Sequence, residues 1–113
     1  MSDTIIPHLR FHISAELHEK TIELLNELEI SEDPKQYRDM LGNLVVELTN
    51  AGMDYFFIKP LELAKVGFMT KQTTNLGLTA QRRVISPIIR RVIGGMDKNQ
   101  LLIICSYIRQ LMN

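Results

Sequence analysis

"QRRVISPIIRR", residues 81–91, sets two arginine pairs around an apolar run interrupted by Pro87, and the fold turns on how that run is read. Advancing by about 100° per residue, as an α-helix does, gathers each residue type on its own side. Arg82, Arg83, Ser86, Pro87, Arg90 and Arg91 fall within roughly one half of the circumference, and Val84, Ile85, Ile88, Ile89, Val92 and Ile93 within roughly the other. The segment is therefore predicted to be an amphipathic helix. Its apolar half should face a core, and its arginines should form the wet side, with their stems lying over neighbouring apolar surface. Pro87 deprives the Arg83 carbonyl of its helical partner, so it either bends this helix or, with Ser86 as N-cap, begins a shorter one.

Working outward, Gly94 and Gly95 stop the segment, and Asp97 with Gln100 forms a capping pair that launches "KNQLLIICSYIRQLM", residues 98–112. In the other direction, the polar run "TKQTTNLGLT", residues 70–79, reads as a loop, with the arginine helix starting near Thr79. Before it, "YFFIKPLELAKVGFM", residues 55–69, is apolar around most of its circumference and can be capped by Asp54. Pro60 must kink that segment or begin a new helix. Further upstream, Asp33, Pro34 and Gln36 supply a helix start. Tyr37, Leu41, Leu44, Val45 and Leu48 then share one face, and the helix is expected to end near Asn50 and Gly52. Ser14 fits the N-cap of "AELHEKTIELLNELE", residues 15–29, in which Leu17, Thr21, Leu24 and Leu28 make one face, widened by Ile22 and Leu25. Residues 8–13, HLRFHI, alternate polar and apolar and read as a short extended arm or a frayed helical start. The expectation is an all-α fold: a compact helical bundle of four to five helices. Residues 1–13 form the N-terminal arm and residues 14–113 a single helical bundle domain.

Composition sets the bounds. One domain is expected for 113 residues, and 45% hydrophobic with 23% charged residues is a globular balance. Cys105 is the sole cysteine, which excludes an intrachain disulfide and a cysteine-held zinc and suits a reducing cytoplasm. Pro7, His8, Arg10 and His12 break up the apolar residues near the start, against a cleaved signal peptide. The longest wholly apolar runs, residues 55–58 and 101–105, fall far short of the roughly 20 residues that cross a bilayer. No membrane partner is expected.

The net charge of zero conceals a division. Residues 13–62 hold eleven acids against four bases, whereas residues 63–113 hold eight bases against Asp97 alone. Such polarity fits an anionic partner for the basic half, or pairing of the two halves within a chain or across a dimer. Arg82, Arg83, Arg90 and Arg91 are the candidate partner- or phosphate-binding residues, because guanidinium forks match carboxylate and phosphate geometry. Glu16, Glu19, Glu23 and Glu27, spaced by three, four and four, form a single carboxylate row on the first helix and are the candidate acidic counter-surface. An acidic protein partner is possible on the same grounds. For nucleic acid, the alternative, a helix-turn-helix could be built on "KQTTNLGLTAQRRVI", residues 71–85, with "LGLT" as its tight turn. The chain has no zinc-finger ligands, RNP-like aromatic run or basic heptad region.

Signals for chemistry are sparse. His8, His12 and Glu16 line one face only if a helix begins at Pro7, and no Glu is followed by His three residues later, so no metal or other cofactor is expected. Glycine-rich phosphate loops, G-x-S-x-G and H-E-x-x-H are missing from the sequence, and Cys105 falls on an apolar helix face with Leu101, Ile104 and Ile108. Catalysis is not expected. The last helix carries Leu102, Ile103 and Tyr107 outside its main apolar face, more than a small monomeric bundle covers. Those three are the candidate dimer interface of a non-catalytic, homodimeric interaction or regulatory module.

Overall fold

The computed structural model describes residues 7–65 and 67–112, with side chains throughout except at 68–71, 73–76 and 81. Residues 1–6 of the expected arm lie outside it. The chain is all-α, and no strand occurs among the described residues. Helix α1 spans Ala15–Ile30, α2 Arg38–Met53, the short α3 Lys59–Leu63, α4 Phe68–Gly94 and α5 Lys98–Leu111. A 3-10 turn, Pro34–Tyr37, precedes α2, and a π-helical turn, Asp54–Ile58, joins α2 to α3.

Two of these starts obey the local chemistry read from the sequence. The Ser14 hydroxyl accepts from Leu17 N–H at 3.0 Å. The Asp97 carboxylate accepts from Gln100 N–H at 2.9 Å, and the Gln100 side-chain oxygen accepts from Asp97 N–H at 2.9 Å, closing the capping box. The start at Asp33 departs from expectation. Its side chain makes no cap, Pro34 opens a 3-10 turn and the α-helix begins only at Arg38. Gln36 turns its amide to the Ser31 hydroxyl instead.

The middle of the chain also differs from its punctuation. Backbone helix runs unbroken through residues 38–63, passing Gly52, and the π turn absorbs Pro60: Lys59 N–H donates five residues back, to the Asp54 carbonyl. A wider turn ahead of Pro60 suits a residue that has no N–H to give. Residues 70–79, expected as a loop, lie within α4, which is continuous through Pro87 and about 40 Å long at 1.5 Å per residue. The tight turn needed by a helix-turn-helix is therefore not formed at residues 76–79. Glycine and threonine only lower helix propensity, and long-range packing overrides that deficit; Leu78, at the end of this run, is buried.

These two rods make an antiparallel hairpin, with Arg90 and Ile93 opposite Gly42 and Arg82 opposite Asp54. At its tip the helix ends as Ala64 N–H donates to the Pro60 carbonyl (2.9 Å) and Lys65 N–H to the Glu62 carbonyl (3.1 Å). Lys65 takes a φ of 56° to do so. That left-handed conformation crowds any Cβ, so Lys65→Gly is expected to raise stability by about 0.5–1 kcal/mol. A higher urea midpoint with an unchanged slope is the check; a lower midpoint would contradict it.

The core lies at the other end of the hairpin, where α1 and α5 pack. Leu24, Leu25 and Leu28 of α1, Leu41 and Leu44 of α2, Ile93 of α4, and Leu101, Cys105 and Ile108 of α5 form one buried cluster. Thr21 is wholly buried beside it and satisfies its hydroxyl by donating to the Leu17 carbonyl at 2.7 Å. Because the hairpin reaches past this cluster, the radius of gyration is 16.7 Å, against about 13 Å for the most compact chain of this length. Residues 7–14 run outside the helices. They lay Phe11 against Tyr55 and Phe56, with ring centroids at 6.0 and 5.5 Å, and His12 against Tyr55 at 6.0 Å.

Candidate interaction surface

Helix α4 sits on α2 with a rotation that its sequence does not announce. Arg82, Ile85, Ser86, Ile89 and Ile93 point toward the bundle, while Val84, Ile88 and Val92 are 61, 53 and 56% exposed. Burial is thus centred roughly 70° from the middle of the apolar half. All six apolar residues were expected in the core, and three of them form an outward stripe at i, i+4 and i+8. On α2, Gly42 lies against the Arg90 backbone, where a Cβ would make ordinary van der Waals contact at 3.5 Å. Asn43 and Asp54 offer acceptors to Arg90 and Arg82 of the arginine half.

The four arginines accordingly divide. Arg90 Nε donates to Asn43 Oδ1 at 2.9 Å, and Arg82 pairs with Asp54 at 2.5 Å. The Nε of Arg82 is buried without a hydrogen-bond partner. Arg83 and Arg91 stay exposed, and no ion pair among the described residues engages either. On α1, Glu16, Glu19, Glu23 and Glu27 are all exposed, also without an ion pair among the described residues. Lys20, the base nearest that row in sequence, reaches across to Glu47 at 2.8 Å instead. Helix α1 packs chiefly on α5 and α2, and no ion pair among the described residues joins its carboxylate row to the α4 arginines. Arg109 of α5, singled out by no pattern, holds the two helices together by pairing with Glu29 and donating to Asn26 Oδ1 at 2.9 Å.

On α5 the suggested interface residues separate by one position. Ile103 and Tyr107 are exposed, as is Leu111, whereas Leu102 is half-buried and packs against the core. The side of α5 that faces the core carries Leu101, Cys105 and Ile108.

Elsewhere, an open groove of about 540 Å³ between α2, the π turn and α4 is lined by Thr49, Gly52, Met53, Phe56, Phe57 and Leu78. It is apolar and offers few groups to orient a reacting molecule. Tyr55 packs its ring at a tilt against Phe11 and carries the Lys59 ammonium 5.3 Å from its ring centroid. Burial pushes the Cys105 thiol from its ordinary 9.0 to about 11, with the Glu29 carboxylate adding to the rise and Arg109 opposing it. It is therefore a protonated core thiol at neutral pH. Among the described residues no three His, Cys, Asp or Glu side chains converge on a metal position, and no helix is long and apolar enough to cross a membrane.

The chain is thus an all-α helical bundle whose most distinctive surface is an apolar and cationic face on one long helix. No protein-family model, curated protein or solved structure matches it.

Proposed function

We propose that this chain is a non-catalytic interaction or regulatory module that acts as a homodimer. The observation carrying this reading is the set of large apolar side chains left outside: Val84, Ile88 and Val92 on α4, and Ile103, Tyr107 and Leu111 on α5. Each stripe repeats every four residues along one helix, the pattern of a face that packs on another helix. Two such stripes on one small bundle are more than scattered surface hydrophobics require. A reducing compartment such as the cytoplasm suits its single buried thiol. Sedimentation equilibrium at micromolar concentration is expected to give a dimer, and a strictly monomeric species would overturn the reading.

Nucleic-acid binding is the second reading, favoured by the absence of any acid between Glu62 and Asp97. It has to work with Arg83 and Arg91, since Arg82 and Arg90 are occupied by Asp54 and Asn43. Salt-sensitive retention on DNA or RNA that is lost on replacing Arg83 and Arg91 by Glu would support it over the first.

A further inference from the structure

We propose that the occupant of the Arg83 and Arg91 face of α4 is the carboxylate row of α1 in a second copy of this chain. The inference rests on the homodimer reading and adds to it which surfaces meet. Its basis is charge complementarity that the monomer leaves unused. Arg83 and Arg91 are exposed and unpaired among the described residues, and so are Glu16, Glu19, Glu23 and Glu27. The two sets stand on different helices, and no ion pair among the described residues joins one to the other within the chain. Within one chain they do not reach each other; between copies they can.

The spacings match. Arg83 and Arg91 are eight residues apart, about 12 Å along the axis, and Glu19 and Glu27 are separated by the same eight residues. Like charges stacked at three and four residues repel one another unless cations lie alongside, so the α1 row is relieved by what the α4 face brings. Both surfaces also have an apolar margin. Ile30, 83% exposed, continues the carboxylate row by three residues, while Val84 and Ile88 border the arginines. In a two-fold dimer each copy contributes both surfaces, so the contact forms twice and closes without leaving a free end. The division of charge along the chain fits the same arrangement: residues 13–62 carry eleven acids and four bases, and residues 63–113 eight bases and one acid.

Charge reversal with cross-rescue tests this. One variant carries Arg83→Glu with Arg91→Glu, the other Glu19→Arg with Glu27→Arg; all four positions are exposed, so the bundle should be retained, as far-ultraviolet circular dichroism will verify. Each variant alone is expected to dimerise at least tenfold more weakly than the natural chain, because like charges then oppose. An equimolar mixture is expected to recover the dimer as a heterodimer, since both contacts are again complementary, and a misfolded variant could not be rescued in this way. Wild-type association should also weaken as salt rises from about 50 to 500 mM, where screening shortens below the span of the contact. If the natural chain dimerises but either variant alone does so equally well, or the mixture stays monomeric, these surfaces are not the contact and the homodimer reading survives through another face. If the natural chain is itself monomeric, both fall.

Discussion

Ile93→Ala is expected to cost the fold roughly 2–4 kcal/mol, while Val92→Ala, one residue away, costs under about 1 kcal/mol. Helical periodicity assigns both residues to the same apolar half, so the contrast tests the rotation of α4. Ile93 is 5% exposed and belongs to the cluster with Leu41, Leu44 and Leu101, whereas Val92 is more than half exposed. Truncating the first removes buried methyl and methylene groups and leaves a void that close-packed neighbours refill only in part. Truncating the second removes atoms that already touch water. Urea unfolding of the two variants, compared through midpoints at equal slope, is the measurement. Equal losses would mean that α4 buries its apolar half symmetrically, and the outward stripe of Val84, Ile88 and Val92 would have to be abandoned.

The second large effect concerns pH. The Cys105 thiol is held at about 11 in the folded chain against an ordinary 9.0, chiefly because burial penalises the thiolate. Above pH 9 the unfolded chain releases this proton while the folded chain keeps it, so the unfolded state binds fewer protons and stability falls as pH rises. The contribution is fully present below pH 9 and is lost progressively up to about pH 11. At 1.36 kcal/mol per unit, the loss is about 2–3 kcal/mol. Cys105→Ala should start somewhat less stable, having lost a buried sulfur, but should lack this component of the alkaline decline. All other groups are common to both proteins and cancel in the difference. Parallel stability curves from pH 8 to 11 would show that the thiol is not desolvated in the folded state.

The helices themselves were legible wherever local chemistry closes on itself. Ser14 and the Asp97 and Gln100 pair are caps made between residues three apart, and a periodic face such as Leu17, Thr21, Leu24 and Leu28 is a property of one segment. Breakers were less reliable. Gly52, Pro60, Gly77 and Pro87 all read as ends or bends, yet residues 38–63 and α4 run through them. Each breaker carries a modest propensity cost or one missing hydrogen bond, which a π turn or neighbouring packing can absorb. Long elements packed side by side gain more from continuity than they lose at one residue.

The candidate surface shows the same division. The sequence presented the arginine and glutamate rows because each is local to one helix. It could not say that Arg82 and Arg90 would be drawn to Asp54 and Asn43, 28 and 47 residues away in the chain. Nor could it show that Arg83 and Arg91 would be left outside beside a bare apolar stripe.

By itself, then, the sequence determined the all-α class, the helix caps, the inward faces of α1 and α2 and the segregation of charge between its halves, since each follows from spacing within a segment or from composition. Tertiary structure alone decided which side of α4 is buried, which arginines are spoken for and that the acidic and basic rows stay apart. Those outcomes depend on how α4 is rotated where it meets α2. The residues of α2 at that contact, Gly42 and Asn43, and Asp54 just beyond its end, are distant in the chain, and no periodicity along α4 encodes them.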